Sequence, residues 1–246
     1  MAKFADSNKN IVAITAAMPS GTGLGFFKRR IPTAITMSAS RKNMLRCFAC
    51  GLATQGLKPF LAIYSTFFQR AYDMAIHDMA IQKLNVALCM DRAGLSGDDG
   101  PTHHGLFDIG YLRHIPNWVH MQPKDEDEFV DMLWTMANYN AGPIAIRYPR
   151  GSGTGAKPKP EPKLLEIGKA EVVQHGREVA IFGLGNMFEV AEEAAKKLEQ
   201  KGISVALINP RWIKPLDTGT LEFLPAAWKS FALLKTTFCT TALAAQ

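Results

Sequence analysis

The chain has 246 residues, 47% of them hydrophobic, which allows one large or two ordinary domains with a real core. Its N-terminus, "MAKFADSNKN", holds no apolar segment of signal-peptide length, and no run approaches the roughly 18 apolar residues of a membrane span, so the expectation is a cytoplasmic protein that does not enter the membrane. A net charge of +6 would ordinarily point to an anionic partner, nucleic acid or phosphate.

In chain order, short apolar runs alternate with helical patterns. "NIVAITAAM" is the first near-continuous apolar run, and "TMSASRKNML" at residues 36–45 follows with no clear period, packing Arg41, Lys42, Asn43 and Arg46 close together. "FACGLATQGLKPF" then reads as a helix already under way. "PFLAIYS", "NVALCMDR", "WVHMQP" and "PIAIRYPR" are further strands of the kind that a parallel sheet buries on both faces. Between them, "QRAYDMAIHDMAIQKL" is apolar at helical spacing, and "KDEDEFVDMLWTMANY" opens with acids suited to a helix N-terminus. The fold class is α/β with a mostly parallel sheet flanked by helices. "GSGTGAKPKPEPK" has the composition of a linker, and strand "EVAIFGLG", helix "MFEVAEEAAKKLEQKG" and strand "ISVALINP" begin a second unit. The division is 8–150 for the first domain, 151–163 for the linker and 164–223 for a partial second domain. The four cysteines suit a reducing compartment; Cys47 and Cys50 form a C-x-x-C with no second pair, and are expected to be buried thiols.

In open α/β sheets ligands bind beyond the carboxyl ends of the strands. Those ends carry Tyr64 and Ser65, Asp91 and Arg92, and Arg147 and Arg150, a set suited to a small phosphorylated ligand because Arg offers a planar fork for bidentate contacts. "RAGLSGDDGPTHHG" follows a strand directly and forms a polar loop at the same edge. Asp98, Asp99, His103 and His104 do not match a zinc or calcium spacing, and adjacent histidines tend to point apart, so no metal is expected there. A His with a nearby Asp is the better reading, as a proton-transfer or substrate-orienting pair. "GLGNM" in the second unit lacks the third glycine of a dinucleotide fingerprint.

"VAITAAMPSGTGL", "GLKPFLAIYSTFFQRAYD", "HDMAIQKLNVALCMDRAGLSGDDGPTHHGLFDIGYLRHIPN" and "IAIRYPRG" resemble the 1-deoxy-D-xylulose-5-phosphate synthases, thiamine-diphosphate enzymes related to transketolase. D-G-P-T-H is shared with transketolases, whereas D-R-x-G-L-x-G followed by R-Y-P-R-G favours the synthases. The resemblance runs from about residue 10 to 223. It implies a transketolase-type pyrimidine-binding domain up to about 150, and the start of a transketolase-like C-terminal domain after about 164. It also implies condensation of pyruvate with glyceraldehyde 3-phosphate, release of carbon dioxide, thiamine diphosphate with Mg²⁺ as cofactors, and a homodimer. Residue by residue, Phe67 matches the aromatic position lying against the cofactor's aminopyrimidine. Tyr64, Arg92 and Arg150 match the groups that hold the acceptor's phosphate, and Asp99 and His103 match polar residues facing the reacting centre.

One element of the resemblance is missing. Just before "FACGLA" the family carries a tract of the form D-V-G-I-A-E-E-H-A, with Q an alternative at the second E, whose Glu hydrogen-bonds the pyrimidine ring and drives the tautomer that generates the reactive ylid. The string GAT GTC GGC ATC GCG GAA GAA CAT GCT G encodes that tract. Read one base later it gives M-S-A-S-R-K-N-M-L, which is Met37 to Leu45 without exception. The expectation is a reading-frame slip restored near Phe48, with Lys42 in the position of the family's Glu. The end of the chain shows the same pattern. Residues 228–241, back-translated with suitable synonymous codons and read one base earlier, yield V-E-V-V-C-T-L-E-D-H-V-L-H-N. Residues 224–246 are therefore expected to be an out-of-frame tail that packs poorly or is disordered. Arg41 and Lys42 stand where the other frame carries one Asp and two Glu, a difference of five charges, so the basicity falls from +6 to +1 and nucleic acid drops out as a partner.

The sequence shows no resemblance to the family's diphosphate-binding domain. With Lys42 for Glu, the first expectation is a synthase fragment that is inactive alone. The alternatives are a non-catalytic binding or assembly module that pairs with a chain carrying the diphosphate-binding half, and a transketolase-like enzyme with another sugar-phosphate acceptor.

Overall fold

Helix α1 (Ala2–Ser7) leads into β1 (Ile11–Thr15), whose apolar side chains are buried on both faces. The computed structural model describes residues 2–16, 18–31, 42–222 and 230–234, so Met37 to Arg41 of the patternless tract lie outside the described residues. Helices α2 (Leu24–Arg30) and α3 (Lys42–Thr54) follow. The buried stripe of α3 runs through Arg46, Ala49 and Cys50. Cys47 lies beside that stripe and is exposed, which corrects the expectation of two buried thiols. Burial pushes the Cys50 thiol up to about 12.

β2 (Lys58–Tyr64) continues directly into the short helix α4 (Ser65–Phe68). The segment predicted as one helix over 69–84 instead breaks into a 3-10 turn at Gln69–Ala71, helix α5 (Tyr72–Met74) and a π-helical turn at Ala75–Ala80. Trp118 Nε1 donates to the Ala75 carbonyl at 3.1 Å and Asn117 Nδ2 to the Ala80 carbonyl at 3.0 Å, so side chains satisfy carbonyls at both ends of the widened turn. Then come β3 (Ala87–Asp91), α6 (Asp108–His114), β4 (Val119–Met121), α7 (Glu126–Asn138) and β5 (Ile144–Arg147). The Asp125 side chain accepts from the Glu128 amide at 2.8 Å and caps α7, as its acidic opening predicts.

The second unit contains β6 (Glu171–Gln174), β7 (Val179–Gly183), α8 (Phe188–Glu199), β8 (Val205–Asn209), β9 (Trp212–Lys214), α9 (Thr218–Glu222) and β10 (Ser230–Leu234). The first sheet has the order β1-β2-β3-β5-β4-β9 and the second β10-β7-β8-β6. All pairs are parallel except β4 with β9 and β8 with β6. Strand β9 therefore leaves its own unit and closes the edge of the first sheet, where Trp212 is fully buried in the first core. β10 lies within the segment expected to pack poorly. "SFALL" nevertheless pairs with β7 over its whole length as a parallel edge strand, with Ala232 exposed and Leu233 and Leu234 half-buried. The rest of 224–246 lies outside the described residues.

The linker has no regular structure, but it is pinned along α7. Glu126 accepts from Thr154 Oγ1 and the Gly155 amide, Asp127 from the Lys159 amide, Asp131 from the Lys163 amide, and Thr135 Oγ1 from the Leu165 amide, all at 2.7–2.9 Å. Polar bridges also join the two units. Buried Glu128 accepts from Asn209 Nδ2 at 2.8 Å and Arg211 Nε at 2.5 Å.

Arg147 does not reach the ligand edge, contrary to its place at a strand end in the sequence reading. It is fully buried: Nε meets Asp108 Oδ2 at 2.6 Å, Nη1 meets Gln122 Oε1 at 2.5 Å, and Nη2 reaches Asp108 Oδ1 at 3.3 Å and the Gly105 carbonyl at 3.4 Å. Asp108→Ala would leave an uncompensated buried guanidinium and is expected to cost about 3–5 kcal/mol in urea unfolding. The double variant Asp108→Leu, Arg147→Met should recover most of that loss.

Candidate active site

Parallel pairing fixes which residues meet at the carboxyl edge of the first sheet. The register sets Tyr64 beside Asp91 and Met90 beside Arg147, so the segments following β2, β3 and β5 emerge side by side. Arg92, the first residue after β3, has a left-handed backbone (φ 57°) that turns the chain sharply out of the sheet. Its guanidinium lies over the Tyr64 ring, 3.8 Å from the centroid. Arg92 Nε meets Asp99 Oδ2 at 2.5 Å and Nη1 meets Asp91 Oδ2 at 3.5 Å. Arg150 joins from beyond β5: its Nε reaches the same Asp99 oxygen at 3.2 Å and its Nη1 reaches Asp98 at 3.6 Å and the Ser96 carbonyl at 3.3 Å. Asp99 thus bridges two guanidinium groups, and the Arg92 hydrogen bond holds its carboxyl below the usual range. Among the described residues, Nη2 of neither arginine has a protein partner.

An aromatic ledge borders this pair. Phe67, on α4, stacks on Tyr64 with centroids 5.4 Å apart, and His103 meets Phe67 edge-on at 5.3 Å. His103 Nδ1 is 3.1 Å from Thr102 Oγ1. The neighbouring His104 turns the other way, its Nδ1 accepting from the Ser96 amide at 3.0 Å. The structure therefore brings together Tyr64, Phe67, Arg92, Asp99, His103 and Arg150, six residues singled out in the sequence. Lys42 opens α3, and its side chain lies outside the described residues.

Three residues of this edge were missed in the sequence. Ser96 is buried and organises the loop, donating its hydroxyl to the His103 carbonyl at 2.8 Å. Gly105 exchanges backbone hydrogen bonds with Gly94, and a Cβ on it would lie 2.5 Å from Ser65 Oγ and 2.6 Å from the Arg92 carbonyl. The backbone of Gly21 approaches so closely that a Cβ would lie 2.3 Å from the Tyr64 hydroxyl. The glycines inside polar loops were the available signal. Beyond the edge opens a cleft of about 550 Å³, lined by Gly21, Asp91, Glu126, Arg150 and, from the second unit, Asn186 and Glu189.

Fold and site together define a transketolase-type α/β architecture with an arginine-rich strand edge. Residues 1–154 match the family described as transketolase, pyrimidine binding domain, and 168–233 the transketolase C-terminal domain; the chain belongs to the transketolase pyrimidine-binding family. It is 59% identical over 223 residues to the 1-deoxy-D-xylulose-5-phosphate synthase of Methylacidiphilum infernorum, covering 91% of this chain and 35% of that protein. Identity to the synthase of Acidobacterium capsulatum is 53% over 221 residues, covering 90% and 35%. The chain thus spans about a third of the length of these relatives. A solved structure described as "Split gene transketolase, inactive beta4 tetramer" superposes with a TM-score of 0.82 at 26% identity, covering 94% of this chain and 75% of that one.

Gly105→Ala is expected to push the 92–105 loop off α4 and lower stability by about 1–3 kcal/mol, read from thermal unfolding. A pH dependence follows from Asp91, whose carboxyl burial raises to about 6 against the opposing pull of Arg92. Because the folded value lies above the unfolded one, this group's contribution is fully present below about 4 and is lost as pH rises through 6. Unfolding free energy measured from pH 4 to 7 should therefore fall less in Asp91→Asn than in the parent chain.

Proposed function

We propose that this chain carries the pyrimidine-side half of a thiamine-diphosphate synthase site, one that condenses pyruvate with glyceraldehyde 3-phosphate and releases carbon dioxide. The observation that carries the reading is the guanidinium pair: Arg92 and Arg150 are held at one edge by a shared carboxylate, and among the described residues Nη2 of neither has a protein partner. That arrangement suits a phosphate group. Tyr64 supports Arg92 from below, so Tyr64, Arg92 and Arg150 hold the acceptor's phosphate. His103 and Asp99 flank the reacting centre: His103 has Nδ1 committed to Thr102 and Nε2 left to hold or pass a proton, while Asp99 keeps both arginines in place.

The residues present fit the aminopyrimidine of the cofactor. Phe67 offers an aromatic face on the ledge, and the buried Ser65 hydroxyl beside it has no hydrogen-bond partner among the described residues. Thiamine diphosphate, when bound, supplies the electron sink that a 2-oxo acid needs to lose carbon dioxide. Among the described residues no cluster of three or more His, Cys, Asp or Glu is set to hold a metal, and we assign Mg²⁺ and the diphosphate to another segment or chain. Lys42 stands at the sequence position where the family reading requires an acceptor, so the chain as it stands is assigned no turnover. We keep the division at 8–150, 151–163 and 164–223 with an out-of-frame tail at 224–246, cytoplasmic placement and a homodimer as part of this reading. No helix among the described residues is long and apolar enough to cross a membrane.

A second reading is favoured by one observation, the likeness to a chain of a split-gene transketolase. In that case the chain is a binding or assembly module whose diphosphate-binding half is a separate polypeptide, and it co-purifies with that half when the two are expressed together.

Calorimetric titration with glyceraldehyde 3-phosphate tests the main reading. Arg92→Ala and Arg150→Ala are each expected to weaken binding about ten- to a hundredfold, in line with the loss of a hydrogen bond to a charged group. Affinity unchanged from the parent chain in both variants would sink it. Decarboxylation of pyruvate by the chain with Lys42 in place would overturn the assignment of no turnover.

A further inference from the structure

Arg150 sits between two anchors, and both belong to the start of α7. Two residues before it, the Tyr148 ring meets Phe129 edge-on, centroids 5.0 Å apart at 74°. Four and five residues after it, Thr154 Oγ1 donates to Glu126 Oε2 at 2.8 Å and the Gly155 amide to Glu126 Oε1 at 2.9 Å. Phe129 and Glu126 are three residues apart, one helical turn, so one face of α7 grips both ends of the segment that carries Arg150. Between the anchors the segment also runs tight against the carboxylate: a Cβ on Gly153 would lie 1.9 Å from Glu126 Oε1 and 2.4 Å from its Cδ. Residues 149–154 form one wall of the 550 Å³ cleft, which Glu126 also lines. Beyond Gly155 the next tie is the Lys159 amide on Asp127, so without Glu126 the chain from Pro149 to Pro158 would be held chiefly by Arg150's own contacts with Ser96, Asp98 and Asp99.

We propose that Glu126 is a positioning residue for Arg150, a latch that fixes the strap after β5 so that the guanidinium is preorganised for an anion. This rests on the reading of Arg92 and Arg150 as a phosphate site. Glu126 carries the same sign of charge as a phosphate and is assigned no contact with it. Its role is to remove the ordering cost that Arg150 would otherwise meet on binding.

Titration of the full chain with inorganic phosphate tests the latch, comparing the parent with Glu126→Ala, Glu126→Gln and Arg92→Ala, beside amide hydrogen exchange at Gly155. Glu126→Ala should weaken phosphate binding about tenfold and speed Gly155 exchange by a similar factor, with the urea midpoint little changed. Glu126→Gln should recover part of both, since its amide oxygen still accepts from Gly155. Phosphate affinity retained in Glu126→Ala but lost in Arg92→Ala overturns the latch and leaves the phosphate site standing. Equal affinity in the parent and Arg92→Ala overturns the phosphate site and the latch with it. Should Glu126→Ala fail to fold, Thr154→Val removes one arm of the latch alone; a severalfold loss of affinity supports the proposal, and unchanged affinity overturns it.

Discussion

The buried guanidinium of Arg147 is the constraint on which the site edge depends. Placed at the end of a central strand with no exposed surface, it must find acceptors inside the protein, and it finds them on three separate pieces: Asp108 at the start of α6, Gln122 beyond β4 and the carbonyl of Gly105 in the loop after β3. Gln122 in turn reaches Asn186 of the second unit at 3.4 Å. One side chain therefore ties together the exit of the 92–105 loop, the start of a helix and the seat of the neighbouring unit. Arg92, half-buried after β3, and Arg150, exposed after β5, then share Asp99 at the same edge.

Much of the fold was legible because a sheet covered on both faces writes continuous apolar runs, and each of the five runs expected in the first unit became a strand. Elements without that pattern were not legible. β6 is an edge strand with Val172 and Val173 exposed, and β9 is only three residues long and borrows its setting from another unit's sheet. The break at 69–80 depends on Trp118 and Asn117, donors more than 35 residues away, and no local pattern encodes such a contact.

The candidate site was legible to a different degree. Strand ends and a polar loop identified Tyr64, Arg92, Asp99, His103 and Arg150, because a parallel sheet sends all carboxyl ends to one edge. Arg147 was misplaced for the same reason: sequence position gives the end of the strand, but the pleat decides which side chain turns inward. Gly21 and Gly105 act through backbone proximity and Ser96 through a side-chain hydrogen bond within its loop, and both depend on how the loops meet. The family resemblance added Phe67 and the missing acid at Lys42. A reading-frame slip is our proposal for the basic tract at 37–45, whose last four residues open α3 and whose charge, taken by composition alone, pointed toward an anionic partner.

The pinned linker bears on how the two units can be handled. A protease needs several consecutive residues lifted clear of the surface and drawn into an extended conformation, and the chain from Thr154 to Leu165 is tied to α7 at five separate places. Despite a composition that looks like an open hinge, this stretch is a poor cleavage site. Limited digestion would leave the two units joined, and fusion or insertion of a tag is better placed elsewhere than in this lysine- and proline-rich stretch.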